Sequence, residues 1–530
     1  MTQAPPAQTE ASAVLPSAEQ SGQMTHREVL EALSGLLLAM FVAMLSSTIV
    51  SNALPTIVTE LEGSQTGYTW VVVATMLAMT ATTPIWGKLA DLFDKKILVQ
   101  SALVIFSVGS LIAGFAQSMD VLIGARVVQG LGVGGLTALV QVVIATMVSP
   151  RERGRYSGYI GATFALATVS GPLVGGVLVD TIGWEWCFFA GIPVAALAFV
   201  VLQRTLRLPV VKREVHIDYL GAFLLMGGVS TFLVWVSLGG QQFDWVSGLS
   251  AALLVVALVL VAAAVRVEIS VAKEPIIPMR LFRDRTLTLA TVASVLIGVA
   301  MFGSTVYLSL YFQRAKDLSP TEAGLMSICM VGGLLVSSIV SGNIITRTGL
   351  WKRWIVGGMV AVIAGIALLA TIDATTPLWQ TGVFMAVLGL GLGATMQNLV
   401  LAVQNTVALA DMGAASSVVA FFRALGGSVG IAALGSVLAH QVADAAKAGL
   451  EALARTQPEV LKGLTFDTGG IPDLAALPAP VRAVFESAFG DATGHIFLVA
   501  LPFAVGALVA VLLIKEVPLR TTVHREDELV

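Results

Sequence analysis

Fourteen apolar segments run along the 530-residue chain, at roughly 32–54, 69–88, 97–116, 121–148, 156–179, 185–203, 218–239, 247–265, 287–312, 322–345, 354–372, 378–406, 413–439 and 494–514. About 20 such residues cross the hydrocarbon layer of a bilayer as a helix. Lipid offers no partner to a free N–H or C=O, so segments of this kind are held to helical structure. The expected fold is all-α and integral to the membrane. With 56% of residues apolar and only 12% charged, little chain remains for a large soluble domain.

The basic residues assign sides to the spans. Of the 30 Lys and Arg, eighteen fall in five short loops on one side, between spans 2 and 3, 4 and 5, 6 and 7, 8 and 9, and 10 and 11. The tails add Arg27, Lys515, Arg520 and Arg525. The other side has Arg314 and Lys316 in short loops and four basic residues in the long 440–493 segment. Cytoplasmic loops carry the excess of positive charge, so both termini are expected in the cytoplasm of a multi-pass plasma (inner) membrane protein. Two arginines, Arg126 and Arg423, stand inside apolar segments.

A net charge of −3 gives no broad basic face for nucleic acid. Cys187 and Cys329 lie within apolar segments and read as small buried hydrophobes, with no disulfide framework or metal site implied. Residues 1–30 begin with a Pro, Ala, Ser and Gln-rich stretch expected to be a disordered cytoplasmic tail, and 516–530 form a second tail. The 440–493 segment reads as a solvated outer loop carrying short amphipathic helices.

The chain repeats itself. GKLADLFDKK at 87–96 has a weaker counterpart in GNIITRTGLWKR at 342–353, and VQGLGVGG at 128–135 matches VLGLGLGA at 387–394. The second offset also carries Glu152 and Gly154 onto Asp411 and Gly413. Spans 2–5 therefore correspond to spans 10–13. Two related six-span bundles follow, over 31–206 and 286–515, with two inserted spans and inner linkers over 207–285. Paired halves of this kind are the plan of secondary transporters, with a site near the bilayer midplane.

Several motifs stand at matching places in this plan. Gly87, Asp91, Lys95 and Lys96 occupy the loop between spans 2 and 3, with Asp94 where the second copy has Gly349. Span 4 carries Arg126 and Gln129 in RVVQGLGVGG; a charge at that depth is costly and faces a cavity or partner by default. Span 5 has Gly171, Pro172, Gly175 and Gly176 in SGPLVGGVL, a small-residue face with a helix-kinking proline. Span 13 has Arg423 in FFRALGGSVG, and span 1 has LSSTIVSNALP at 45–55.

Together these resemble the major facilitator superfamily, in its fourteen-helix drug:proton antiporter branch. The resemblance covers nearly the whole chain after residue 30. It implies the major facilitator fold, with two six-helix bundles plus two inserted helices. It also implies efflux of amphiphilic small molecules by alternating access, exchanged for protons, the role of a multidrug efflux permease in antibiotic resistance. Arg126, Gln129, Asp91, Lys95, Lys96, Glu152, Asp411 and Arg423 are the residues it implicates in proton coupling and switching. Gly171, Pro172, Gly175 and Gly176 form its antiporter motif.

Polar and aromatic residues inside apolar spans nominate a cavity lining: Ser46, Ser47, Thr48, Phe164, Tyr307, Tyr311, Gln313, Gln397, Asn398, Gln404, Asn405, Phe421 and Phe422. For each, ordinary packing or an interhelical hydrogen bond stands as the alternative. Ser46 occupies the place of the family's span 1 aspartate, and no span has a carboxylate at its middle. Asp180, Glu185 and Glu62 at outer ends, and Asp411 and Glu152 at inner ends, remain open as partners for the proton. The missing carboxylate weighs against permanently cationic substrates.

No phosphate-binding glycine loop is present, so an ion gradient, with no cofactor and no metal, is the expected energy source. The chain is expected to work as a monomer in the lipid bilayer and not as an enzyme. Two other readings are a dedicated exporter or importer of one native metabolite, such as an antibiotic, siderophore or lipid precursor, and a transport-dead membrane sensor.

Overall fold

The computed structural model describes residues 26–62, 65–206, 208, 216–240, 242–461 and 477–521. The helices of the first half are α1 (His26–Glu60), α2 (Gln65–Leu92), α3 (Lys95–Gly114), α4 (Met119–Met147), α5 (Pro150–Thr181), α6 (Trp186–Phe189) and α7 (Gly191–Thr205). Then come α8 (Tyr219–Leu238) and α9 (Gly248–Ser270). The second half has α10 (Arg285–Arg314), α11 (Pro320–Thr348), α12 (Lys352–Leu369), α13 (Leu378–Thr406), α14 (Met412–Thr456) and α15 (Ala479–Leu513). Only Ala190 separates α6 from α7, and the two together make one span. Among the described residues, fourteen helices are thus long and apolar enough to cross a membrane, as the hydropathy pattern anticipates.

Local chemistry sets the helix ends. Ser118, Asp218, Ser247 and Asp284 accept N–H bonds at the starts of α4, α8, α9 and α10, and Ser319 with Glu322 forms a reciprocal capping box on α11. The two loop copies are closed differently. Gly349 ends α11 at φ +73°, a conformation that favours glycine. Asp94 in the other copy has φ −60°, and its carboxylate accepts the Lys96 N–H at 2.8 Å. A side-chain cap there does the work of the usual glycine.

The repeated glycine runs do the same job in both halves. On α4, Gly130 and Gly134 let the backbone of α2 approach at Thr75 and Met79, whereas Gly132 receives α3 at Phe106. On α13, Gly389 and Gly393 receive α11 at Met330 and Leu334, and Gly391 receives α12 at Val362. Small residues at alternate positions thus allow two neighbours to pack closely on one helix. Apolar cores fill each half, the second-half core also taking in Ala145 of α4 with Phe164 of α5 packed on it. The inserted α8 and α9 pack on each other, and α8 leans on α2 and α14 through Leu225, Val229 and Leu233, beside Ala81, Val418 and Phe421.

The 440–493 segment is not a solvated loop over its described part. The 45 residues of α14 make a helix of about 67 Å, more than twice the thickness of a hydrocarbon layer. Its extension packs Val442, Ala446, Leu450 and Leu453 against Val481, Phe485 and Ala488 of α15. Apolar positions three or four residues apart explain the continued helix. Residues 462–476 and the tails 1–25 and 522–530 lie outside the described residues. The described part of the C-terminal tail is bound to the body: Glu516 accepts the N–H groups of Trp351 and Lys352, and Arg520 bonds Asn405 and Gln404.

Candidate gating and coupling site

The halves meet along two seams, α2 on α14 and α5 on α11. The sequence repeat relates them, because Gly87 corresponds to Gly342 and Gly154 to Gly413. In one seam Gly87 lies against the Gly413 backbone and the Ser417 side chain; in the other Gly342 lies against the Gly154 backbone. Matched residues therefore face each other across the halves, with no room for a Cβ at any of the four. Both contacts sit at the end of the molecule that carries the basic loops.

Each seam has its own polar clasp. Asp91 accepts the N–H groups of Gly413 at 2.7 Å and Ala414 at 2.9 Å, placing a carboxylate on the N-terminus of a helix from the other half. Beside it, Lys88 is buried and pairs with Glu274 at 3.1 Å, and Asp411 pairs with Arg280 at 2.8 Å. Both partners come from the linker that follows α9. Glu268, itself buried near the end of α9, fixes that linker by accepting the Ile276 and Ile277 N–H groups.

Thr346 stands at the Asp91 position of the second seam, and the polarity is reversed. Arg151 donates across to the carbonyls of Thr346 at 3.2 Å and Arg347 at 3.1 Å. Arg153 is only 2% exposed and bonds the carbonyls of Val148 and Ala145 and, across the halves, Gln404 Oε1 at 3.2 Å. Further along, Gln141 of α4 donates to Gln397 of α13 at 2.9 Å. Beyond Gly161 and Leu334 the α5 and α11 seam loosens, and Gly176 and Gly332 meet nothing within 4 Å.

Deep in the first half, Arg126 is 4% exposed. It donates to Gln129 Oε1 at 2.5 Å and to the Val71 carbonyl at 3.3 Å. Gln129 in turn donates to Ser46 Oγ at 2.9 Å and Ser110 Oγ at 2.8 Å. The serine in the place of the family aspartate is thus the end of a chain that begins at the arginine. Among the described residues no carboxylate lies within salt-bridge distance of Arg126, Glu62 and Glu185 included. The side chains of Asp180 and Pro172 lie outside the described residues. Arg423 of α14 is half-buried, with no hydrogen-bond or ion-pair partner among the described residues.

Other sequence candidates are distributed differently. Lys96 turns to the Gln203 carbonyl at the end of α7 at 2.7 Å, inside its own half; the cation ion-paired beside Asp91 is Lys88, which sequence reasoning missed. Lys95 is half-buried beside it. Glu152 is exposed and, among the described residues, its carboxylate accepts a hydrogen bond only from Ser149, at 3.2 Å, as a first-turn acid. Gly171 and Gly175 bring α5 onto Thr48 and Ile49 of α1.

Among the nominated lining residues, six are packing or structural groups. The hydroxyl of Tyr307 donates to the Ile431 carbonyl and that of Tyr311 to the Asp373 carbonyl, while Asn398 bonds Ala394 and Ser341. Phe421 is buried under α8, Gln404 bonds Ser416, and Asn405 holds the C-terminal segment. Gln313 bonds Ser309 on its own helix. Thr48 bonds the Leu45 and Ala167 carbonyls. Ser47 is exposed, and Phe164, Gln397 and Phe422 are half-buried.

A family model described as Major Facilitator Superfamily matches residues 36–431. The chain belongs to the Major Facilitator Superfamily. Within the superfamily it is 32% identical over 507 residues to the multidrug transporter protein MdtP of Bacillus subtilis (strain 168), covering 92% of this chain and 93% of that one. It is 33% identical to the efflux pump dotC of Dothistroma septosporum, covering 93% and 84%. The structure of the human organic anion transporter MFSD10 superposes with a TM-score of 0.58 at 12% identity, over 90% of this chain and 99% of that one. The major facilitator fold read from the sequence is the fold found, in a chain whose relatives are transporters.

Proposed function

We propose that the protein exports amphiphilic small molecules across the plasma membrane in exchange for protons, by alternating access of the two halves. The single observation that carries this reading is the pair of repeat-related clasps, Asp91 on Gly413 and Ala414 and Arg151 on Thr346 and Arg347. Close glycine contacts and a few hydrogen bonds along two matched seams are what a rocking transporter breaks and remakes. With the basic loops in the cytoplasm, the clasped arrangement is shut on the inside and represents the outward-facing state.

In this scheme Arg126, Gln129 and Ser46 couple proton movement to rocking, and Arg423 faces the substrate path. Both arginines are fixed positive charges deep in the spans, and each carboxylate of the spans stands near a helix end or in the α14 and α15 extensions. Neutral or anionic amphiphiles match that field better than permanent cations. The names of MdtP and dotC support efflux of small molecules.

The test is uptake of a panel of fluorescent amphiphiles of different charge into proteoliposomes under an imposed pH gradient. Ionophore-sensitive accumulation of several unrelated neutral or anionic dyes is the expected result. Movement of none of them, by a correctly folded protein, would overturn the multidrug reading.

A further inference from the structure

A cavity of about 570 Å³ lies at the seam between α5 and α11. Arg155 and Tyr159 line it from one half, Ile339, Asn343 and Arg347 from the other. Arg155 is in the second turn of α5, and Arg347 is the penultimate residue of α11, so the cavity sits at the membrane boundary on the basic-loop side. Neither guanidinium has a hydrogen-bond or ion-pair partner among the described residues.

The same two helix faces continue as exposed apolar surface toward the membrane interior. Leu166, seven residues on from Tyr159, is 60% exposed, and Val336, one turn before Ile339, is 54% exposed. In a span, surface of this kind meets acyl chains.

We propose that this cavity binds the headgroup of an anionic phospholipid, with its phosphodiester held between Arg155 and Arg347 and its acyl chains along Leu166 and Val336. Guanidinium groups pair with phosphate oxygens through charge-assisted hydrogen bonds, and basic pockets between spans on the cytoplasmic side are sites for acidic headgroups. The Asn343 amide and Tyr159 hydroxyl supply further donors. Two cations with no ion-pair partner among the described residues select an anion, and the adjoining apolar stripe selects a lipid over free phosphate. One arginine comes from each half, so a bound headgroup ties the halves at this end and favours the clasped state over one in which the seam is open.

The purified protein in neutral detergent would be titrated with phosphatidylglycerol and, separately, phosphatidylcholine, with bound lipid counted by native mass spectrometry. The site predicts at least one retained phosphatidylglycerol, preferred over phosphatidylcholine by about tenfold or more. The paired Arg155→Gln and Arg347→Gln variant loses that preference, Arg155→Lys with Arg347→Lys keeps most of it, and Arg266→Gln on exposed α9 leaves it unchanged. Inorganic phosphate at millimolar concentration fails to displace the lipid. Wild-type retention by the paired Gln variant overturns the proposal, as does displacement by inorganic phosphate, which would make the site one for a free anion. Because lipid is counted directly, the result stands apart from whether the protein transports anything.

Discussion

The carboxylate of Asp91 on α2 caps Gly413 at the start of α14, 322 residues away in the other half, at 2.7 Å. The helix so capped has no side-chain cap of its own, since Asp411 at that position pairs with Arg280 instead. One charge thus completes a helix terminus and joins the two halves.

Replacing Asp91 with Asn keeps one acceptor oxygen, loses the bond to the second N–H and removes the charge, which together cost roughly 1–3 kcal/mol. The clasped state loses population several-fold and transport slows. In a background lacking Cys187 and Cys329, a Ser417→Cys reporter, buried beneath Gly87, becomes more reactive to an aqueous thiol reagent. Equal reactivity with and without Asp91→Asn would remove the clasp from the mechanism.

A methyl group at Gly154 has the Gly342 carbonyl in its way at 2.7 Å. Forced overpacking of this kind costs roughly 1–3 kcal/mol. Gly154→Ala is therefore expected to fold, to lower the transport rate by about tenfold or more, and to shift the halves toward separation. Gly357→Ala, where a Cβ meets nothing within 4 Å, leaves both melting temperature and transport near wild type. Comparable loss in both variants would mean that glycine content, not the seam, matters.

The chain from Arg126 through Gln129 to Ser46 makes two linked expectations. Arg126→Ala abolishes gradient-driven transport while dye binding, followed by fluorescence, persists. Ser46→Asp places a carboxylate next to Gln129 and within reach of neutralising the arginine; it raises the melting temperature and moves substrate preference toward cations. An unchanged charge preference in Ser46→Asp, or full transport in Arg126→Ala, would detach this network from coupling.

The spans, the two halves and the correspondence of glycines between the repeats were legible because period, charge bias and repetition are carried by the chain itself; that the matched glycines meet across the halves was not. Long-range partners were not. Arg153 reads as one more basic loop residue three positions after Pro150, yet the carbonyls of Ala145 and Val148 and the Gln404 side chain bury it. Lys88 and Lys96 differ only in where the α9 linker and the end of α7 happen to fall. Tyr307 and Tyr311 look like cavity polars, but their hydroxyls satisfy backbone carbonyls of neighbouring helices, the usual fate of a buried phenol. The amphipathic helix after residue 440 was legible from its apolar spacing, but its unbroken continuation from α14 and its packing against Val481 and Phe485 depend on a partner helix that begins more than twenty residues further along the chain.

Exchange of substrate for protons underlies the whole scheme. It is read in proteoliposomes loaded with a pH-sensitive dye and given a transported amphiphile on one side. Substrate moving down its own gradient should drive protons the opposite way, in fixed proportion, with no such movement in Arg126→Ala. Substrate crossing at an undiminished rate with no accompanying change of internal pH would contradict proton exchange.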